Sequence, residues 1–392
     1  MTERLYYHDC YQQEFRARIV ELADDGRRVY LDRTAFYPTS GGQPFDLGTL
    51  GGARILEVVD EDDRIAHLLE NSLDVASQVS EVEGNIDWAR RYDHMQQHTG
   101  QHLLSAVLND LFGIPTVSFH MGAVTSTIDV GAEKLDSKRV EQIEERCAEV
   151  IAAARPVTIS FEEASSDLAL RKASERSGTL RIISIDALDR SACGGTHVRS
   201  TSELGPIFLR KLEKIRGNVR IEFVCGLRAL RIARADLRTL SEISRSLSVP
   251  FEETPALVAT QIERAKNLEK TCQRLAAEAA QREGRALYAD TPPDSGGIRR
   301  VIQRGIIDDP MRARAQAFVE GSMAVFVAAS EDPPSILLAA SPDSGIHAGE
   351  VLKSALTAAG GRGGGNRALA QGSVPTPAAL EQVIAAMLIS RC

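Results

Sequence analysis

The chain has 392 residues, 43% of them hydrophobic, enough to bury a sizeable core and to divide into two to four domains. A net charge of −8, from 46 basic and 54 acidic residues, excludes a protein that coats nucleic acid through bulk electrostatics, so an RNA partner must meet a local basic patch and no DNA partner is expected. The polar start MTERLYYHDCYQQEF lacks an apolar signal segment, and no run of eighteen apolar residues follows, which predicts a cytoplasmic protein with no membrane partner. Six scattered cysteines (Cys10, Cys147, Cys193, Cys225, Cys272 and Cys392) suit a reducing compartment.

Arg4 to Asp87 reads as short strands. "ARIVELADDGRRVYLDRTAFY" alternates apolar and polar residues around a turn at Asp25-Gly26, and turn signals recur at Gly41-Gly42, Gly48 and Gly51-Gly52. Residues 1–88 are therefore expected to form a small Gly-rich β-barrel domain, with a β-sandwich as the other arrangement. Leu103, Leu104, Val107, Leu108, Leu111 and Phe112 then recur at helical period up to a C-cap at Gly113. A strand pair near Thr116 to Val130 follows, then a helix from Ser137, as N-cap, to Ala154. Strands are expected at "RPVTISF", "LRIISID", "PIFLRKL" and "VRIEFVC", the last two joined across "EKIRGN". Residues 89–226 thus read as an α+β domain. Leu230, Ala233, Leu237, Leu240 and Leu247 fall near heptad spacing, with a break at Val249-Pro250 and a restart at Thr254-Pro255, which predicts a helical hairpin linker over 227–290. Beyond "DTPPDSGG", the apolar runs "MAVFVAAS" and "SILLAAS" read as buried strands flanked by helices, a small α/β domain over 291–392. The fold class is α+β multidomain.

In "HTGQHLL", His98 and His102 stand four apart and project from one helix face, which suits two imidazole nitrogens on a single ion. A zinc protease would carry His-Glu-x-x-His, whereas Thr99 and Gly100 follow His98 here, so proteolysis is disfavoured. "CGGTH" adds Cys193 and His197, again four apart, with two glycines that let the backbone approach an ion. Three imidazoles and one thiolate suit one Zn2+. A lone histidine is more often a hydrogen-bonded structural residue, but two such pairs reverse those odds. Four protein ligands make a closed structural site, whereas a catalytic zinc keeps a position open, so His197 is either a ligand or yields its place.

"RRYDHMQQHTGQHLLSAVL" and "CGGTHV", preceded by "FYPTSGGQPFDLG" and followed by "GGRGGGNRALAQGS", resemble the editing part of alanyl-tRNA synthetase, and more closely its free-standing relatives, the AlaX proteins in their long form. The resemblance covers nearly the whole chain in order: a Gly-rich β domain, a zinc editing domain of the threonyl/alanyl-tRNA synthetase second additional domain type, a helical linker and a DHHA1 domain. It implies trans-editing: zinc-dependent hydrolysis of mischarged tRNA(Ala), chiefly seryl-tRNA(Ala) and also glycyl-tRNA(Ala). His98, His102, Cys193 and His197 match the family's zinc ligands. The resemblance begins at the β domain, so no aminoacylation domain is expected. The resemblance also implies tRNA binding and homodimerisation through the C-terminal domain. An aminoacyl ester is an activated substrate, so such a site must mainly hold it and present water; the ion either activates that water or positions the aminoacyl group, and the residues leave both open.

Gly41, Gly42 and Gln43 of "SGGQ" combine a free backbone with an amide that both donates and accepts, and the resemblance places them at the editing pocket; the plain reading is a hairpin turn. The Gly-Gly-Gln of translation release factors is a rival, but there the motif lies on a long basic loop, unlike the neutral surroundings here. Ser118 and His120, on the strand after the metal helix, are further pocket candidates. Thr99 is assigned to the pocket or, alternatively, to fixing a ligand. Arg228, Arg231, Arg234, Arg238 and Arg245 share one face of the first linker helix and can meet phosphates or form a plain solvated face. In "GGRGGGNR" the glycines permit close approach of a backbone or phosphate beside Arg362 and Arg367. Two further readings stand beside the deacylase: a non-catalytic zinc protein that binds RNA or the synthetase, and a metal hydrolase of small esters.

Overall fold

The computed structural model describes residues 1–73, 81–165, 168–172 and 177–389; Cys392 lies outside them. The chain divides into two compact units, Met1–Ile243 and Ser244–Cys392. No helix among the described residues is long and apolar enough to cross a membrane.

The first unit opens with β1 (Glu3–Arg4), β2 (Glu14–Ala23), β3 (Arg28–Leu31), β4 (Arg33–Thr34), β5 (Gly48–Leu50), β6 (Ala53–Glu61), β7 (Arg64–Leu69) and β8 (Glu81–Ile86). Six of these close into a barrel in the order β2-β3-β7-β6-β5-β8, while β1 pairs in parallel with β4. Alternation along the strands turns Phe15, Ala17 and Ile19 of β2, Val29 and Leu31 of β3, and Val58 and Ile65 inward to one core with Phe36. Within that core His67 is fully enclosed: its Nδ1–H donates to the Val29 carbonyl (3.1 Å) and its Nε2 accepts from the Thr34 hydroxyl (2.8 Å).

Asp87 then caps α1 (Trp88–Phe112) by accepting from the Arg90 amide, and Gly113, in the left-handed region at φ 64°, ends it. Every residue from His94 to Leu108 is buried, although half of this stretch is polar. Its core-facing Leu103, Leu104, Val107 and Leu108 join the main hydrophobic cluster with Ile143, Cys147 and Val150 of α2 (Ser137–Ala152). The cap of α2 is Asp136, whose carboxylate accepts from the Arg139 amide (2.9 Å), and not the expected Ser137; the aspartate sits one residue earlier, where the chain is still extended. β9 (Thr116–Met121) and β10 (Ser126–Val130) form the expected pair and continue through the hairpin of β14 (Ile207–Ile215) and β15 (Asn218–Cys225) into a sheet of order β14-β15-β10-β9. Between them in sequence, β11 (Val157–Glu163), β12 (Thr179–Ile185) and β13 (Asp189–Ala192) make a second antiparallel sheet that delivers the "CGGTH" loop.

α3 (Gly226–Leu247) runs across the boundary between the two units and α4 (Thr254–Asp290) belongs to the second, so the segment expected as one linker, 227–290, is divided between them. The rest of the second unit is β16 (Arg299–Arg304), α5 (Asp309–Phe318), β17 (Ala324–Glu331), β18 (Pro334–Ala340), α6 (Ala348–Ala358), β19 (Arg362–Gly365), β20 (Leu369–Ser373) and α7 (Pro377–Ile389). Its sheet has the order β16-β17-β18-β20-β19, with only β16 and β17 parallel. The expected buried strands are β17 and β18, whose apolar residues fill the two cores of this unit.

The barrel is fastened to α1 by one buried ion pair. Arg91 and Asp46 are both fully enclosed; the guanidinium contacts the carboxylate through Nε (3.0 and 3.1 Å) and Nη2, and donates to the carbonyls of Cys10 (2.9 Å) and Ala35 (2.6 Å). Removing one partner leaves an uncompensated buried charge, so Arg91→Met is expected to destabilise the first unit by about 3–5 kcal/mol in urea melts. Burial also lowers the His67 pKa to about 4. The unfolded chain takes up that proton near 6.5, so it binds more protons than the fold between the two values, and stability falls as pH drops through that window. Between pH 7 and pH 5 the wild type should lose about 2 kcal/mol more than His67→Gln does.

Candidate metal centre

His98 and His102 face the same way from α1, and the loop after β13 brings Cys193 and His197 against them. One ligand atom from each of the four lies within 4.8 Å of every other. Cys193 Sγ is 3.4 Å from both His98 Nε2 and His197 Nε2. A tetrahedral ion with metal–nitrogen distances of about 2.0–2.1 Å and a metal–sulfur distance of about 2.3 Å places nitrogen and sulfur about 3.5 Å apart, so these separations fit one such ion.

What orients the rings lies one layer behind them. His98 Nδ1 meets the Gln43 side-chain oxygen at 2.8 Å, His102 Nδ1 meets Asp189 Oδ2 at 3.0 Å, and His197 Nδ1 meets the Thr99 hydroxyl at 3.1 Å. Each acceptor draws the ring proton to Nδ1 and leaves the Nε2 lone pair free to turn toward an ion. Each is itself fixed. Gln43 Nε2 donates to Thr196 (2.8 Å), Val198 N–H donates to Thr99 (3.2 Å), and Arg171 Nε donates to Asp189 (2.7 Å). Burial opposes ionisation of Cys193, but the charges of His98 and His197 and hydrogen bonds from His102 and His197 hold its thiol well below the usual value. Burial works against a charge on His102 too, yet its bonds to Asp189 and Cys193 raise it to about 9. A proton in that place is held by the attraction a metal cation would use. His197 has no such carboxylate, and burial with the nearby His98 lowers it to about 3. Gly195 has no room for a side chain, because a Cβ there would lie 2.1 Å from His98 Cε1.

A cavity of about 780 Å³ opens onto His98, His102 and Cys193 but not His197. Its remaining walls come from the barrel side (Tyr6, Tyr37, Ser40, Gly41) and from Gln101, Phe119 and Phe161. Phe119 stacks on His98 with ring centres 5.4 Å apart.

The "SGGQ" stretch is a tight turn, with Ser40 and Gln43 exchanging backbone hydrogen bonds (3.1 and 2.9 Å) around Gly41 and Gly42 at φ 56° and 84°. Gly41 borders the cavity. Gly42 packs against β9, where a Cβ would come within 2.7 Å of the Phe119 carbonyl. Gln43 does not face the pocket as expected: it is fully buried behind His98. Thr99 is likewise buried, behind His197. Ser118 borders the cavity, with its hydroxyl donating to Asp129 (2.8 Å). His120 is exposed and outside the cavity lining, because the pleat of β9 turns Phe119 toward the histidines instead. The residues the sequence reading missed are Asp189, Thr196 and Phe119. Asp189 had a signal, an acid on the strand leading into "CGGTH" where a ligating histidine needs an acceptor.

Arg228 is unavailable to phosphate. It is 8% exposed and occupied by Asp93 and the Gly122 carbonyl (2.8 Å). Arg231, Arg234, Arg238 and Arg245 are exposed, as are Arg362 and Arg367. The glycines of "GGRGGGNR" serve packing: the carbonyls of Asn366 and Arg367 accept from the first amides of α6, and a Cβ on Gly349 would lie 2.7 Å from the Gly365 carbonyl.

Two family models match: the threonyl and alanyl tRNA synthetase second additional domain over residues 180–222, and the DHHA1 domain over residues 311–388. The alanyl-tRNA editing protein AlaX-L of Pyrococcus horikoshii is 32% identical over 396 residues, 95% of each chain. AlaX-M of Methanosarcina acetivorans is 35% identical, covering 57% of this chain and 98% of its own. The chain belongs to the AlaX family. It is also 29% identical to the alanine–tRNA ligase of Pyrococcus abyssi over 95% of its own length, but spans only 42% of that enzyme. The AlaX-M match is therefore confined to part of this AlaX chain, whereas AlaX-L accompanies it nearly from end to end.

If the four side chains hold one ion, Cys193→Ser should reduce bound metal from about one per chain to a small fraction in elemental analysis. Asp189→Asn and Gln43→Ala keep all four ligands, and each should weaken metal affinity about 10- to 100-fold in a chelator competition.

Proposed function

We propose that this chain is a zinc-dependent deacylase that hydrolyses mischarged tRNA(Ala) in trans, releasing the amino acid and free tRNA. The observation that carries the reading is the cavity that ends on three candidate ligands of one ion, in a chain of the AlaX family. The donor set of three imidazoles and one thiolate favours Zn2+. Bound there, the ion supplies Lewis-acid chemistry at the ester. The protein's own contribution is positional. Gln43, Asp189 and Thr99 keep the three rings in the tautomer that leaves Nε2 free for an ion, while Phe119 and Tyr37 bound the cavity beside His98 and His102. An aminoacyl ester is activated already, so holding it against water in fixed geometry supplies much of the rate.

Serine is the favoured amino acid and glycine the second. Ser40, Gln101 and Ser191 border the cavity and can read a hydroxyl, and a site built to pair a hydroxyl rejects the analogue that lacks it. The exposed Arg231, Arg234 and Arg238 of α3, with Arg362 and Arg367, are proposed tRNA phosphate contacts. Homodimerisation through the C-terminal domain and a cytoplasmic location complete the proposal. A metal site open to a large cavity favours this reading over a closed structural one.

Incubation with the protein should strip the ester from seryl-tRNA(Ala) while alanyl-tRNA(Ala) largely survives, followed by acid gel separation of charged and uncharged tRNA. Chelation should abolish the reaction and added Zn2+ restore it. Equal survival of both substrates would refute the assignment.

A further inference from the structure

The ester accounts for the candidate ligands that border the cavity, but not for Phe161. Phe161 of β11 borders the same space as His98 and Cys193, yet is 45% exposed. β11 is an edge strand, and Phe161 stands opposite Arg181 on β12, which also borders the cavity. The ring is backed by His8, with centres 5.1 Å apart and planes tilted by 37°. The cation Lys172 borders the cavity too, next to Arg171, whose charge is paired with Asp189. An exposed phenylalanine gains little for folding, since its apolar face stays in water. An aromatic face with cations nearby is, however, the chemistry that holds an unpaired base: the ring stacks on it and the backbone phosphate finds positive charge.

We propose that Phe161, supported by His8, is the stacking platform for an unpaired base at the 3′ end of the RNA whose ester reaches the metal end of the same cavity. This rests on the deacylase reading. Phe161 is not one of the candidate ligands, so it is a positioning residue: it sets how well the acylated end is held and leaves the chemistry to the candidate metal centre. Any aromatic ring there serves, because stacking is tolerant of ring type.

The test is steady-state hydrolysis of seryl-tRNA(Ala) by the wild type, Phe161→Ala and Phe161→Trp, with melting temperature and metal content measured on each. Stacking of one base predicts that KM rises about 5- to 100-fold in Phe161→Ala, with kcat within about twofold, and that Phe161→Trp stays within about threefold of wild type in both. Unchanged KM in Phe161→Ala, with an active wild type, overturns the stacking proposal alone. A loss of kcat shared by the alanine and tryptophan variants also overturns it, since a platform for binding would not produce that. An inactive wild type overturns the deacylase reading and this inference together.

Discussion

The site depends first on an interaction that is not part of it. Arg91 enters α1 one turn after its cap and is buried with Asp46, the carboxylate that closes the Gly-rich turn of the barrel. Desolvating both charges costs several kcal/mol, and the pair is tolerable because further polar groups surround it. The arginine also satisfies the carbonyls of Cys10 and Ala35, and the aspartate accepts from the Tyr37 amide at 2.6 Å. Three separate segments, around Cys10, Ala35–Tyr37 and Asp46, are thereby fixed to the first turns of α1. The turn held in this way carries Gln43, and Gln43 in turn fixes the ring of His98, two helical turns further along. The barrel is thus a component of the candidate metal centre through its hydrogen bonds, although it contributes no ligand.

Behind the ligands the three acceptors differ in charge, and the difference grades the rings. Gln43 and Thr99 are neutral, so they choose a tautomer without adding field. Asp189 is ionised: burial would raise its pKa, but His102 and Arg171 hold it low. His102 is consequently the most electron-rich of the three imidazoles and the strongest anchor for a cation. Arg171 returns a positive charge to the same carboxylate, and Ser191 adds a neutral hydrogen bond to it (3.0 Å). A divalent ion held by these four side chains would add Lewis-acid character beside the Cys193 thiolate.

Much of this was legible in the sequence where one local rule sufficed. The spacing of His98 and His102 follows from helical geometry, and that of Cys193 and His197 from the glycines between them. Gly113 as a C-cap, the β14 and β15 hairpin and the buried strands of the C-terminal unit were likewise readable from pattern. What stayed hidden depends on which face of an element is covered. For β9, alternation alone leaves the phase open: Ser118 does border the cavity, whereas His120 does not, and Phe119 is the residue that stacks on His98. Arg228 looked like part of a basic stripe because the helical period places it there, but Asp93, far away in sequence, neutralises it. Gln43 was read as a pocket residue for its amide, whereas that amide is used up within the protein. Polar side chains are assigned by their partners, and partners come from the tertiary fold.

The cavity lies between the barrel and the elements that carry the candidate ligands, which belong to one unit. Tyr6, Tyr37, Ser40 and Gly41 build one wall and Phe119, Phe161 and the Cys193 loop the other, so neither part encloses the space alone. The same division holds for the ligands' support, where one acceptor comes from the barrel, one from α1 and one from β13. Separating the barrel from the rest would therefore cost twice, exposing the cavity to bulk water and releasing the ring of His98. An ester site needs both functions at once, because a polar field strong enough to act on a carbonyl is weakened wherever water enters freely. Enclosure and ligand orientation are supplied here by the same short turn, 40–43, whose first two residues line the cavity and whose last holds the histidine.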